Sequence, residues 1–386
     1  MKKFYRSVFI SGAVILFMGI CSSAMAEDVQ IHGFISQGYL KTDKNNYLAD
    51  TDDGTFQFNE MGISFAAYPS RRLKIGCQFF ARDLGSVGND DININWAFAD
   101  YNFRNWLGMR VGLLKVPFGF YNDTRDYDTL RTAIFLPGSV YNEYFRDGTN
   151  NLKGVEFYGS QSLGALGVIK YQVMTGETQI PLESGTAEYI KIHFPGVVLK
   201  KIEVGQLYDA HIQWLTPLEG LRLGYSFVLT DYQYDAVMMG NTVNLKSPTN
   251  KWSGVSAEYM FGNFVLAIEN YMYYRDAAIY TETGVKLGDY DIDLKDDSYY
   301  ARLSYRFTDW LETGFYYSKY VENPKNEGEE NELRDQCLSF RFDINPYWLF
   351  KLEAHLMDGK FSVKPDNDGH TYDEWMLYAA KMTFMF

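Results

Sequence analysis

From residue 29 onward the chain alternates apolar and polar side chains with a period of two, and nothing else in it constrains the fold as strongly. Leu73, Ile75, Cys77, Phe79 and Ala81 are set against Arg72, Lys74, Gly76, Gln78, Phe80 and Arg82. Leu221, Leu223, Tyr225, Phe227 and Leu229 oppose Arg222, Gly224, Ser226, Val228 and Thr230; Tyr299, Ala301, Leu303, Tyr305 and Phe307 oppose Tyr300, Arg302, Ser304 and Arg306. Successive side chains of a strand point to opposite faces, so each segment carries one continuous apolar face and one wet face. About sixteen such segments follow one another, beginning near Val29, Gly54, Arg72, Asp91, Leu107, Leu152, Ala165, Leu207, Leu221, Lys251, Phe264, Tyr299, Leu311, Gln336, Leu349 and Trp375.

The connections take turns. Tyr68-Pro69-Ser70-Arg71, Thr216-Pro217-Leu218-Glu219, Phe261-Gly262-Asn263, Thr308-Asp309-Trp310 and Asn345-Pro346-Tyr347 read as tight turns. Between them, residues 41–53, 176–204, 231–250, 276–297, 322–334 and 358–373 read as long loops rich in Asp, Asn and Gly. Short turns on one side and long loops on the other, with an even strand count, predict an all-β fold: a transmembrane antiparallel β-barrel of about 16 strands. Thr175–Val204 is the exception, because Glu188–Phe194 and Val197–Val204 also alternate in part around Pro195-Gly196. A further strand pair there would make 18.

Residues 1–26 have the makings of a cleaved signal peptide: Lys2, Lys3 and Arg6, an apolar stretch over Val8–Ile20, and Ala24-Met25-Ala26. That stretch falls short of the ~20 residues a spanning helix needs. Cleavage after Ala26 leaves one domain, residues 27–386, in the outer membrane. The full chain carries a net charge of −13; three of its bases and none of its acids lie before residue 27, so the remainder carries −16. Nucleic acid is a poor partner for that charge. Aromatic residues reach 17%, with 31 Tyr and 28 Phe, although mean hydropathy is only −0.27. Aromatic girdles at two membrane interfaces explain so many rings in a chain without an apolar helix. Phe386, Phe384, Met382, Ala380 and Tyr378 form one apolar face ending in an aromatic. This resembles the terminal-strand signal read by the barrel-assembly machinery.

One stretch fails to alternate. Lys115 to Asp147, about thirty residues after the fifth strand, is long enough for a functional loop and is expected to fold back into the barrel. It carries Lys115, Asp123, Arg125, Asp126, Asp128, Arg131, Glu143, Arg146 and Asp147, and a short helix is expected from about Asp123 to Phe135. Sorting strand charges by parity places Lys74, Arg82, Arg110, Lys170, Arg222, Arg302, Arg306, Arg341, Lys351 and Lys381 inside. It also places Glu60, Asp91, Glu156, Asp209, Glu258, Glu269, Glu312, Asp343 and Glu353 there, so the wall is near neutral. Acids on the loop facing bases on the wall, chiefly Lys74, Arg82, Arg110, Arg302, Arg306 and Arg341, would either set a transverse field across a water-filled slot or brace the loop. The two roles are compatible.

At Gly112-Leu113-Leu114-Lys115-Val116-Pro117-Phe118-Gly119 the chain resembles the element that enters the third loop of the phosphate-selective porin (O and P) family, glycine–x–x–lysine–x–proline–phenylalanine–glycine. Over its whole mature length it resembles Gram-negative porins, and Ile31-His32-Gly33-Phe34 has a porin-like look. The resemblance implies a homotrimeric passive channel in which lumen lysines and arginines steer anions. The acidic mature chain departs from that pattern, and its own charges lean towards weak cation preference or none.

The function expected is passive diffusion of small hydrophilic solutes and ions across an outer membrane, in contact with its lipids and lipopolysaccharide. Alternatives are an anion- or phosphate-selective porin and a non-channel adhesive or calcium-binding barrel. No catalytic group, metal or cofactor is expected. His32, His193, His211, His355 and His370 fall in no catalytic or metal motif, and His211 and His355, on inward parity, read as solvated lumen residues. The acids at Asp289, Asp291, Asp293, Asp296 and Asp297 begin like a calcium loop but place Leu294 where Gly is required. They read as a solvated loop, as do Asp366 and Asp368. Cys77 and Cys337 lie on strands far apart in order, without a disulfide framework.

Overall fold

The computed structural model describes residues 29–85, 87–324 and 328–386, with the side chains of residues 290–294 and 329 excepted. The leader expected at residues 1–26 lies outside the described residues. The strands are β1 (Gln30–Thr42), β2 (Phe58–Ser70), β3 (Leu73–Leu84), β4 (Asn93–Arg104), β5 (Leu107–Lys115), β6 (Asn151–Ser162), β7 (Val168–Glu177), β8 (Val198–Val204) and β9 (Gln206–Leu215). They continue as β10 (Leu221–Met238), β11 (Asn241–Phe261), β12 (Phe264–Thr281), β13 (Lys286–Thr308), β14 (Leu311–Val321), β15 (Glu332–Asn345), β16 (Trp348–Gly359) and β17 (Glu374–Met385).

All pair antiparallel, and β17 returns to β1 from Phe34↔Met385 to Thr42↔Leu377, which closes the sheet. β8 and β9 lie end to end against β10, with Val204 opposite Tyr232 and Tyr208 opposite Leu229. They are one stave broken at Gly205, where a Cβ would sit 1.9 Å from the Asp231 carboxylate. The described residues therefore form a closed barrel of sixteen staves. The extra strand pair near residue 190 is absent. Residues Gly185–His193 form a helix, α1, whose Ser184 hydroxyl accepts the Ala187 N–H as an N-cap. The partial alternation of Glu188–Phe194 yields to that cap, and Val197–Val204 lengthens an existing stave.

Outward positions carry the apolar band. Ile35, Val111, Val173, Ile212, Val255, Ile268, Leu303, Phe315 and Leu338 are all exposed in the isolated chain, so a lipid annulus has to cover them. Tyr101, Phe103, Trp106, Trp214, Phe261, Phe307, Trp310 and Tyr347 ring the short-turn rim, where amphipathic rings suit a membrane interface. Both chain ends of the barrel meet at this rim, where Gly33 and Phe386 exchange two backbone hydrogen bonds of 3.0 Å.

Two of the expected long loops are hairpins. β10–β11 turns at Met239-Gly240 and β12–β13 at residues 282–285, on staves of 18 to 23 residues, where a tilted span needs ~9–11. Their alternation continues past the membrane, so the ladder continues too. The acidic run at Asp289–Asp297 is thereby part of β13, in register with β12, and its extended backbone does not wrap a cation as a calcium loop must. Asp296 is buried against Arg275 at 2.8 Å rather than solvated.

Candidate pore constriction

The loop leaves β5 at Lys115 because its next residues cannot extend the ladder. Val116 donates the last rung to Asn150 O at 3.1 Å, Pro117 has no N–H, and Gly119 adopts φ +64°. A Cβ at Gly119 would lie 2.2 Å from the Tyr141 hydroxyl, so the turn into the lumen needs glycine. Asn122 then ties the base shut, donating to Val116 O and Thr149 O at 2.9 and 2.8 Å. The chain beyond crosses the lumen in turns and single 3-10 steps, at Asp128–Leu130 and Glu143–Phe145, followed by one helical turn at Arg146–Thr149. The helix expected from Asp123 to Phe135 does not form. Asp126 and Asp128 turn their carboxylates to wall cations instead of to helix N–H groups, and those charged bonds are stronger than a cap.

Wall groups seat the loop from three directions. On β12 the buried Glu269 accepts Phe120 N–H at 2.9 Å, Tyr141 O–H at 2.5 Å, Tyr300 O–H at 2.7 Å and Ser256 O–H at 2.6 Å. On β16 Glu353 accepts Ile134 N–H at 2.6 Å, while Lys351 donates to Asp128 O and Ala133 O at 2.7 and 3.0 Å. On β2 and β17 Glu60 holds Arg146 and Lys381, each at 2.6 Å, and Lys381 reaches Asp128 at 3.0 Å. Apolar seats lie between these, with Ile134, Phe135 and Tyr144 against Leu40, Phe58, Leu84 and Trp375, and Val116 and Phe118 against Leu152, Met174, Leu207 and Val228.

The expected site residues divide into two groups. Asp126 pairs with Lys115 at 2.5 Å and Arg146 at 2.6 Å; Glu143 pairs with Arg125 at 2.8 Å and Arg82 at 3.1 Å; Asp147 pairs with Arg82 at 2.8 Å. Arg131 holds Asp128 at 3.1 Å and the carbonyls of Arg125 and Ile134. Arg302 meets the Tyr121 hydroxyl at 2.8 Å, and Arg341 donates to Thr129 O at 2.6 Å. These groups brace the loop. Arg125, Asp126, Asp128, Arg146 and Arg82 are buried.

Asp123, Lys74, Arg110 and Arg306 remain partly open, with Arg110 on Asp100 and Glu156, and Arg306 on Glu312 and Asp343. Lys74 and the exposed Lys170 have no carboxylate partner among the described residues. Asp91 is not a wall residue, since β4 begins at Asn93 and Asp91 is exposed in the connection before it.

Two further readings change. His211 and His355 face inward but are buried, not solvated. His211 Nδ1 lies 2.6 Å from Ser226 Oγ, which also accepts Gly119 N–H at 3.0 Å, so it belongs to the loop seat. The roles of Glu60, Glu269, Glu353, Lys351 and Lys381 as anchors were not separable from lumen charge by parity alone; the only sequence signal was inward charge near mid-stave.

On the long-loop side of the constriction, an aromatic cavity lies between the loop, α1 and the inward faces of β10–β13. Phe118, Val140, Tyr189, Tyr232, Trp252 and Tyr273 are among its lining groups, and it offers ≈ 260 Å³ to the centres of water molecules. Its lining is mostly apolar, with Arg125, Asn250, Arg275 and Asp296 among the polar groups, on staves where a wet inward face was expected.

A sixteen-stave barrel with a third long connection folded across its lumen can be compared with known folds. Over 92% of this chain and 97% of theirs, the outer membrane channel DcaP of Acinetobacter baumannii superposes with a TM-score of 0.58 at 12% identity. The fold is that of the porin barrel. An anion-selective porin from Comamonas acidovorans matches with a TM-score of 0.53 at 13% identity, over 93% of this chain and 99% of that one. Salmonella typhi OmpF in complex with daunomycin reaches 0.59 at 11% identity, over 93% and 97%. No family model and no curated protein matches the sequence. At such identities the likeness to these porins is one of fold.

Proposed function

We propose that this porin-fold barrel is a passive diffusion channel of the outer membrane, non-enzymatic, which passes small hydrophilic solutes and ions with weak selectivity. One observation carries the reading: the loop after β5 crosses the lumen and is fastened to the wall all round, which narrows a barrel of this size without filling it with a core. Charge balance at the constriction supports weak selectivity, because its acids and bases, Asp123 apart, are matched in pairs. The leader at residues 1–26, cleavage after Ala26 and contact with lipopolysaccharide at the long-loop rim belong to the same reading. So does a homotrimer, the assembly named for one form of OmpT of Vibrio cholerae, whose fold is similar.

Planar-bilayer reversal potentials under a salt gradient test it, run beside liposome swelling with graded sugars. Potentials near zero with swelling that falls off with sugar size are expected. Absence of conductance from a folded barrel would overturn the channel. The second reading, anion preference of the O and P type, rests on Lys74 and Lys170, which have no carboxylate partner among the described residues; a strongly anion-selective potential that Lys74→Gln weakens would establish it.

A further inference from the structure

The loop seat holds one cluster that conduction does not use. Cys337 on β15 and His355 on β16 are cross-strand partners, and Glu353 stands two residues before His355 on the same inward face. Cys337 Sγ lies 3.8 Å from His355 Nε2, which lies 3.3 Å from a Glu353 carboxylate oxygen. All three residues are buried and their donor atoms lie within 4.8 Å of one another, the one such cluster among the described residues. A tetrahedral zinc ion, with bonds of about 2.3 Å to sulfur and about 2.0–2.2 Å to nitrogen and oxygen, sets its donors about 3.4–3.6 Å apart. The two distances bracket that range.

The surroundings orient the donors. His355 Nδ1 faces both oxygens of Asp335 at 3.0 and 3.2 Å, and Asp335 also accepts the Tyr316 hydroxyl at 2.8 Å. A carboxylate there keeps the proton on Nδ1 and leaves the Nε2 lone pair aimed at the cluster, as metal-binding histidines require. Glu353 divides its oxygens: Oε1 holds Ile134 N–H at 2.6 Å, and Oε2, 3.2 Å from Phe135 N, is the one facing His355.

We propose that Cys337, Glu353 and His355 bind one thiophilic divalent cation, zinc foremost, with water in the fourth position. Thiolate, imidazole and carboxylate together are a zinc donor set and a poor one for calcium or magnesium. Binding releases the Cys337 proton to solvent, so uptake weakens in acid. Because Glu353 still holds Ile134, the ion fastens the constriction loop to β15 and β16. The cation enters before the loop docks, since the seated loop covers the cluster.

The test uses the untagged full-length barrel, refolded in detergent after chelator treatment in the presence of cobalt(II). One cobalt per chain with a near-ultraviolet thiolate charge-transfer band is expected, and zinc(II) should displace it. Cys337→Ser should abolish the band and His355→Gln weaken uptake by about tenfold or more, while Cys77→Ser, which alters the other free thiol among the described residues, keeps both. Heat-modifiable gel mobility confirms a closed barrel in each case. Substoichiometric uptake by the folded wild type, or a band that survives Cys337→Ser, would overturn the site. Glu353 is left unchanged, because its loss would also free the loop.

Discussion

Asp123, Asp126 and Asp128 stand within six residues of one another, yet their carboxyls live in different electrostatic settings. Burial alone would raise all three. At Asp126, Lys115 and Arg146 outweigh it; at Asp128, Lys381, Lys351 and Arg131 do, and both acids are held well below the usual carboxylate range. Asp123 has weaker help from Lys115 and Arg222, and burial pushes it up. Lowered groups contribute stability that is complete at neutral pH and lost only as pH falls through their depressed values. A raised one is disfavoured in its charged form and is relieved as pH falls. Acidification from neutrality towards pH ~4 should therefore neutralise Asp123 while the loop stays seated. Reversal potentials should move towards anions over that interval without extra current noise, and Asp123→Asn should show the acid value at neutral pH. Asp126→Asn belongs to the other class. It leaves Arg146 and Lys115 short of a buried partner, a loss of about 3–5 kcal/mol, and should appear as noisy, enlarged single-channel currents and new protease cleavage between residues 116 and 150.

Among elements, α1 and the constriction loop depend on each other. Gly185 N–H donates to Asp147 at 3.1 Å, and Thr186 donates to Tyr144 O at 3.3 Å. Added to Gly185, a Cβ would lie 2.6 Å from Tyr144 O, so the helix N-terminus docks on bare backbone. Gly185→Val should detach α1, open the aromatic cavity to the long-loop side and expose residues 178–197 to protease, while the barrel itself stays heat-modifiable. The loop's entry was legible in Gly112 to Gly119, because a proline and a glycine end a strand by their own chemistry. Its path was not. Which of ten inward bases meets which acid depends on stave register, and a one-residue slip would exchange every partner.

For the whole molecule the decisive seam is β1 against β17. Phe386 exchanges two backbone bonds with Gly33, and its ring lies where a Gly33 Cβ would approach to 2.5 Å. Gly33→Val should force the ring aside at about 1–3 kcal/mol and lower the temperature at which the barrel loses its compact gel mobility. Removing Phe386 should slow closure in detergent refolding as well.

By itself the sequence determined the class of fold, the number of staves to within one pair, the face that most strand side chains take and the segment that breaks the pattern. All follow from period-two alternation and from residues that terminate strands locally. The tertiary structure decided the rest. Acids that parity had placed in the channel proved to be clamps for the loop, the upper lumen proved aromatic, and Cys337, Glu353 and His355 proved to be neighbours. Those outcomes depend on pairing between residues as far apart as Glu60 and Lys381, and a one-dimensional pattern carries no information about which distant faces meet.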